Sequence, residues 1–285
     1  MLLNTLFFAL FALIMVSAAV ILLGVTRWQR MTVALVEQLE AARRAVTPRT
    51  FECDELQGLP EPVQAYFNAV LSSCQPLVAT AEIAQEGKVD LGRARTRWIP
   101  FRARQHVFLS RPGWLWDARL RWLPGLGLFA HQGLLAGIGV ARYKLFGLIP
   151  VVRSREEAAG ASSELTRFLA EAVWYPTRLL PSQGVNWEAI DGRHARAILD
   201  DDSIGVEVVF TFDDGGLVRV ARAQTRERRV GGTRIETPWE MRFWEYRAHG
   251  GMLIPVQYEM AWGLPQGRRV YAQGRVSEAR YKFTP

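Results

Sequence analysis

The chain has 285 residues, a formal net charge of +7 at pH 7, and 49% hydrophobic residues. Beyond the first twenty-five residues it is long enough for one well-packed domain, with no low-complexity linker or internal repeat to divide it. Its two cysteines, Cys53 and Cys74, lack the second CxxC or His pair that a zinc site needs, and the surplus positive charge suits nucleic acid or anionic lipid headgroups alike.

The start of the chain decides for lipid. Leu2 to Val25 carries no charge, and only Asn4, Thr5 and Ser17 are polar. At about 1.5 Å per helical residue this run crosses a hydrocarbon core of roughly 30 Å, which predicts a transmembrane helix over 2–25. A cleaved signal peptide has a shorter apolar stretch after a charged start. Here no Lys or Arg precedes the run, which leads into Arg27, Trp28 and Arg30 as membrane-interface anchors. The reading is therefore an uncleaved, single-pass anchor in the cell membrane, with the lipid bilayer as partner and no nucleic acid. Arg27, Arg30, Arg43 and Arg44 all follow the span, so positive-inside logic favours a cytoplasmic domain. Large basic domains translocate regardless, and the side stays undetermined.

Trp28, Met31, Leu35, Leu39 and Ala42 recur at helical spacing, so residues 26–47 are expected as an amphipathic juxtamembrane stalk ending at Thr47-Pro48. A single domain over 51–285 follows. Pro60 and Pro62 start a helix near 61–72 whose stripe of Val63, Tyr66, Phe67, Val70 and Leu71 is core. From Leu77 the period becomes two. Trp114, Trp116, Ala118, Leu120 and Trp122 alternate with Leu115, Asp117, Arg119 and Arg121, and three further runs begin at Val206, Ile235 and Met252. Short glycine turns at Gly215-Gly216, Gly231-Gly232 and Gly250-Gly251 make antiparallel hairpins in sequence order. Arg93, Arg95 and Arg97 sit at odd positions but Arg102, Arg104 and His106 at even ones, which predicts a bulge or kink at Pro100 that curves the strand. Ser154 and Glu157 have capping-box spacing, and Gly160 separates them from a helix over 162–175. Its stripe of Leu165, Phe168, Leu169, Ala172 and Val173 ends at Pro176 and must bury itself on the sheet. The fold class is mainly β (α+β): an N-terminal transmembrane helix, then a curved antiparallel meander or half-barrel packed on a few helices.

Gly58-Leu59-Pro60-Glu61-Pro62, Trp98-Ile99-Pro100-Phe101, Pro112-Gly113-Trp114-Leu115-Trp116-Asp117-Ala118, Glu171-Ala172-Val173-Trp174-Tyr175-Pro176-Thr177 and Thr237-Pro238-Trp239-Glu240 together resemble an uncharacterised bacterial family of membrane-anchored proteins. That resemblance spans about Leu56 to Tyr281 and brings no functional residues with it. The architecture is also similar to the lipoprotein-carrier half-barrels. This second resemblance implies a curved sheet closing over helices around an apolar cavity, working outside the cytoplasm.

There is no HExxH, GxSxG, P-loop or GxGxxG, so no catalytic residue, metal or cofactor is assigned. The four histidines are scattered, and Asp200-Asp201-Asp202 reads as a solvated turn. Two sets of residues are candidates for lining a ligand cavity. The first is the tryptophan face of Trp114, Trp116 and Trp122, joined by Trp239; its alternative is ordinary core. The second is Glu171 with Trp174 and Tyr175 at the helix end; the alternative for Glu171 is a surface salt bridge with Arg167 or Arg178. The functional expectation is a membrane-tethered binding or carrier module for an apolar or amphiphilic, lipid-like ligand. Its alternatives are a structural or interaction protein at the membrane surface and, third, an enzyme without a recognisable motif.

Overall fold

The structure, a computed structural model, describes residues 2–44, 50–92, 96–123, 126–151, 160–231 and 233–284. Among the described residues three α-helices, α1 (Leu2–Ala41), α2 (Glu61–Val70) and α3 (Ala161–Glu171), accompany one large sheet. Its first six strands are β1 (Val78–Asp90), β2 (Trp98–Phe108), β3 (Gly113–Leu123), β4 (Leu126–Leu135), β5 (Ile138–Leu145) and β6 (Ile149–Pro150). After α3 come β7 (Val185–Asp191), β8 (His194–Asp201), β9 (Ile204–Phe212), β10 (Val218–Val230), β11 (Thr233–His249), β12 (Met252–Leu264) and β13 (Gly267–Phe283). The spatial order is β6-β5-β4-β3-β2-β1-β13-β12-β11-β10-β9-β8-β7. Each half is thus an antiparallel meander in sequence order, and the first and last strands join the halves, with Val89 opposite Ala272 and Val78 opposite Phe283.

Side-chain alternation sets the two faces. Trp114, Ala118 and Leu120 of β3 are buried on the inner face, while Arg119 and Arg121 are exposed on the outer one. The inner faces of both halves close over α3 and the 3-10 turns after it (Ala172–Trp174, Pro176–Leu179), so that Phe168, Trp174, Phe210, Met241, Phe243 and Ile254 share one core. Every residue of α3 from Ser163 to Glu171 is buried, including the face opposite its apolar stripe. The stripe of α2 is buried as its spacing predicts. Ser154 and Glu157 of the expected capping box, Arg93, Arg95, Gly232 and the Thr47-Pro48 end of the expected stalk lie outside the described residues.

Of the bulge or kink expected at Pro100, the bulge is absent: β2 pairs with β1 in unbroken register from Trp98 to Phe108. Proline is tolerated there because the ladder to β3 begins only at Phe101, so no hydrogen bond on that side is lost. Register shifts occur instead at Ala84/Gln85 of β1, between Ala223 and Arg226 of β10, and at Met260/Ala261 of β12. Such bulges raise local twist and bend their strands, which lets the sheet curl.

Helix α1 runs unbroken through the expected span and into the expected stalk, ending at Ala41. Residues 3–23 are exposed on all sides, and the helix is long and apolar enough to cross a membrane. From Gly24 onward it lies along the outer face of β2–β4, where Leu35 and Leu39 pack on Phe108, Leu115 and Leu135. A Cβ at Gly24 would stand 2.0 Å from the Phe146 carbonyl oxygen, so only glycine permits this approach at the point where α1 leaves the sheet. Trp28, expected at the bilayer interface, is enclosed by protein. Its indole N–H donates to Asp117 Oδ1 at 2.8 Å and its ring stacks on His131 with centroids 3.9 Å apart. Thr32 Oγ1 meets His131 Nε2 at 2.8 Å. Arg27 and Arg30 are exposed. At the other end of α1, Asp202 pairs with Arg44 (2.8 Å) and with Arg111 of the β2–β3 turn (2.9 Å), and Asp201 is buried. The acidic triplet read as a solvated turn therefore ties the far half of the sheet to the near half. Cys53 and Cys74 are free, exposed thiols.

This docking is sensitive to acid. Burial holds the His131 imidazole below its ordinary pKa against the pull of Asp117, with Arg142 and Lys144 adding to the depression. Asp117 is also held low, because the hydrogen bonds from His131 and Trp28 and the charge of Arg119 outweigh its desolvation. A released His131 takes up a proton below about pH 6.5, whereas the docked ring resists it, so docking weakens as the pH falls from there. Asp117 contributes stability above about pH 4 that is lost below it. Protection of residues 25–41 against hydrogen exchange, taken relative to the intrinsic exchange rate at each pH, is expected to fall between pH 7.5 and 5.5 in the wild type. In His131→Asn that fall should be absent; an equal fall in both would refute the assignment.

Candidate functional site

On the inner face, between α3 and the strand ends that include Val89, Leu120 and Trp262, lies a cavity of about 500 Å³. The sheet contributes an aromatic wall of Phe101, Trp116, Tyr143, Tyr258, Trp262 and Tyr271. Phe101 and Trp116 pack edge to face at 5.4 Å, and Trp262 stacks on Tyr271 at 5.4 Å. The opposite wall is polar and comes from α3. Glu164, Arg167 and Glu171 stand at i, i+3 and i+7, hence on one helical face. The first two line the cavity together with Gln132 and with Arg226 of β10.

These side chains form one connected network. Arg167 Nε donates to Glu171 Oε1 at 2.6 Å, and its Nη1 to Gln132 Oε1 at 3.2 Å. Gln132 Nε2 donates to Glu164 Oε1 at 3.0 Å, and Gln105 Nε2 to Glu171 Oε2 at 2.7 Å. Gln85 joins Gln105 (2.7 Å) and accepts from the Tyr258 hydroxyl (2.7 Å). Arg226 donates to the Ser163 carbonyl at 3.1 Å and to the Tyr271 hydroxyl at 3.4 Å. Both guanidiniums lie over indole rings, Arg167 at 4.6 Å from Trp114 and Arg226 at 4.7 Å from Trp239. A buried cation over an aromatic face regains part of its lost hydration.

One group stays unsatisfied. Glu164 Oε2 is buried with no hydrogen-bond partner, 3.7 Å from Arg226 Nη2. Burial pushes the Glu164 carboxyl above the ordinary carboxylate range, and the pull of Arg226 and Arg167 only partly offsets this. Burial acts to lower Arg167, but Glu171, Tyr271 and Glu164 outweigh it and hold the guanidinium charged. An unmet acceptor of this kind costs about 1–3 kcal/mol in a closed interior. It is suited to a ligand hydroxyl, amine or amide hydrogen. Among the described residues no group of His, Cys, Asp or Glu is arranged to hold a metal ion.

The sequence candidates divide sharply. Trp116 lines the cavity. Trp114 is fully buried, giving its N–H to the Glu164 carbonyl at 3.1 Å. Trp174 donates to the Pro255 carbonyl (3.1 Å) and Tyr175 to the Phe168 carbonyl (3.1 Å), both within the core. Trp239 bonds the Tyr271 hydroxyl at 2.9 Å behind the aromatic wall. The Trp122 side chain lies outside the described residues. Glu171 does pair with Arg167, but the pair is buried rather than on the surface, because the curled sheet covers even the polar face of α3. Glu164, Arg226, Gln132, Tyr143, Trp262 and Tyr271 are not singled out in the sequence, and Arg167 is named there only as a partner for Glu171.

Residues 49–274 match the model of a family of unknown function, DUF6544. No curated protein matches the sequence. Among solved structures the chain is similar to a putative outer membrane lipoprotein-sorting protein domain from Vibrio parahaemolyticus, at 11% identity over 72% of this chain and 86% of that one, with a TM-score of 0.37. A LolA superfamily protein from Nitrosomonas europaea is similar at 10% identity over 79% of this chain and 93% of that one, also with a TM-score of 0.37.

Proposed function

The chain belongs to this family of unknown function, and from that premise we propose that it is a membrane-tethered binding module whose cavity holds one amphiphilic, lipid-like molecule. The observation that carries the reading is a cavity with an aromatic wall on one side and, on the other, a polar wall in which Glu164 Oε2 has an ion-pair neighbour, Arg226, but no hydrogen-bond donor. A volume of about 500 Å³ falls within the roughly 300–1,000 Å³ of small-molecule sites. The apolar body of the ligand lies against Trp116, Phe101 and Trp262, and its polar group donates to Glu164 beside Arg226. Residues 3–23 of α1 span the bilayer and hold the domain at its surface.

The test uses the full chain, extracted in mild detergent and examined by native mass spectrometry. The wild type should retain one lipid-like molecule per chain after detergent is removed. Ala141→Trp fills the cavity from β5, and Trp116→Asp makes its wall polar; each should reduce the retained molecule at least tenfold. Because Ala141→Trp grows into open space, its unfolding free energy should stay within about 0.5 kcal/mol of wild type. A wild type without such a molecule, or variants that retain as much as the wild type, would refute the reading.

A further inference from the structure

The cavity opens at the end of the sheet where α1 leaves the domain, and we infer that its mouth rests on the surface of the bilayer that α1 crosses, so that the ligand passes between leaflet and cavity without entering bulk water. This inference rests on the membrane tether proposed above. Three observations carry it.

The first is length. The exposed part of α1, residues 3–23, measures about 31 Å at 1.5 Å per residue, the thickness of a hydrocarbon core. At Gly24 the helix already touches Phe146 and Leu148, so no spacer separates bilayer from domain. The second is position. Tyr143, in the cavity wall, precedes Phe146 by three residues, about 10 Å along an extended strand. Leu91, Arg228 and Arg234 line the same cavity from the ends of β1, β10 and β11, so these strand ends gather around one opening.

The third is surface chemistry. Outside α1, seven large apolar side chains are exposed among the described residues. Five of them, Leu91, Ile149, Val151, Val230 and Ile235, belong to strand ends on this side, whereas Ile138 and Ile190 sit at opposite ends of their strands. Lys88, Arg102 and Arg121 are exposed toward the same end. Apolar tips ringed by cations fit an anionic lipid interface, where each basic residue near the surface contributes about 1 kcal/mol.

The experiment uses full-length chain with Cys53 and Cys74 replaced by Ser, reconstituted in 3:1 phosphatidylethanolamine–phosphatidylglycerol vesicles that contain doxyl-labelled phosphatidylcholine. A bimane is attached at Ile235→Cys, Leu91→Cys, Ile190→Cys or Ile14→Cys, one per sample. Doxyl lipid should quench bimane at 14, 91 and 235 at least twofold and leave 190 unquenched. Quenching at 14 without quenching at 91 and 235 would overturn the membrane-facing mouth and leave the tether intact. Absence of quenching at 14 would overturn the tether and this inference with it. Since positions 91 and 235 are exposed on separate strands, misfolding of one variant leaves the other to decide.

Discussion

Arg167→Ala should lower the unfolding free energy by about 3–5 kcal/mol, the range for breaking a buried ion pair by removing one partner. Arg167 is the hub of the network. It holds Glu171 at 2.6 Å, bonds Gln132 at 3.2 Å and covers Trp114 at 4.6 Å. Its loss leaves the Glu171 carboxylate buried with only Gln105 as donor, and leaves Gln132 Oε1 without its donor. Urea denaturation of the detergent-solubilised chain measures the effect. The double variant Arg167→Met, Glu171→Leu should recover most of the loss, because the unpaired charge and not the missing pair is what destabilises. A single variant within 1 kcal/mol of wild type would show that water reaches the network.

Trp28→Ala should release α1 from the sheet at a local cost of about 3–5 kcal/mol, as for other buried tryptophans cut to alanine. Trp28 is wholly buried, stacks on His131 and donates to Asp117 at 2.8 Å. The loss should fall on residues 25–41 alone: their hydrogen exchange rises and trypsin cuts after Arg27 and Arg30, while the main sheet transition barely moves. Trp28→Phe keeps a ring on His131 but loses a hydrogen bond to a carboxylate, worth about 1.5–3 kcal/mol, and should fall between. No change in exchange or cleavage at residues 25–41 would place the holding contacts elsewhere along α1.

Much of this architecture is legible in the sequence because burial of one face imposes a period. The alternation from Trp114 to Leu120, the stripe of α2 and the run from Met252 to Trp262 each show which side faces inward. The polar wall of the cavity was not legible, for two physical reasons. Charges at Glu164, Arg167 and Glu171 carry the pattern of a wet helix face; the closure of the two half-sheets around α3 makes that face internal, and closure depends on the long-range pairing of β1 with β13. Arg226 is hidden differently. Ala221 and Ala223 are buried at odd positions of β10, and the register shift before Arg226 turns an even-numbered arginine inward. Trp114, Trp174, Tyr175 and Trp239 were candidates for the cavity and belong to the core, since nothing local distinguishes a ring that packs from a ring that lines.

The joining of the halves by the first and last strands also sets the order in which the protein can be completed. Synthesis delivers β1 early and β13 at the end, so the first six strands, complete at Pro150, wait with the long edge of β1 bare until β13 begins at Gly267. Such an edge invites pairing with other chains, and a contact so distant in sequence forms slowly. A chain cut just before Gly267 would keep the three helices and twelve strands described above, yet consist of two sheets, with one edge of β1 and one edge of β12 bare and the cavity open along its length. The last seventeen-residue strand is therefore the seam of the domain, and early termination within it should yield aggregates in place of a shortened but working protein.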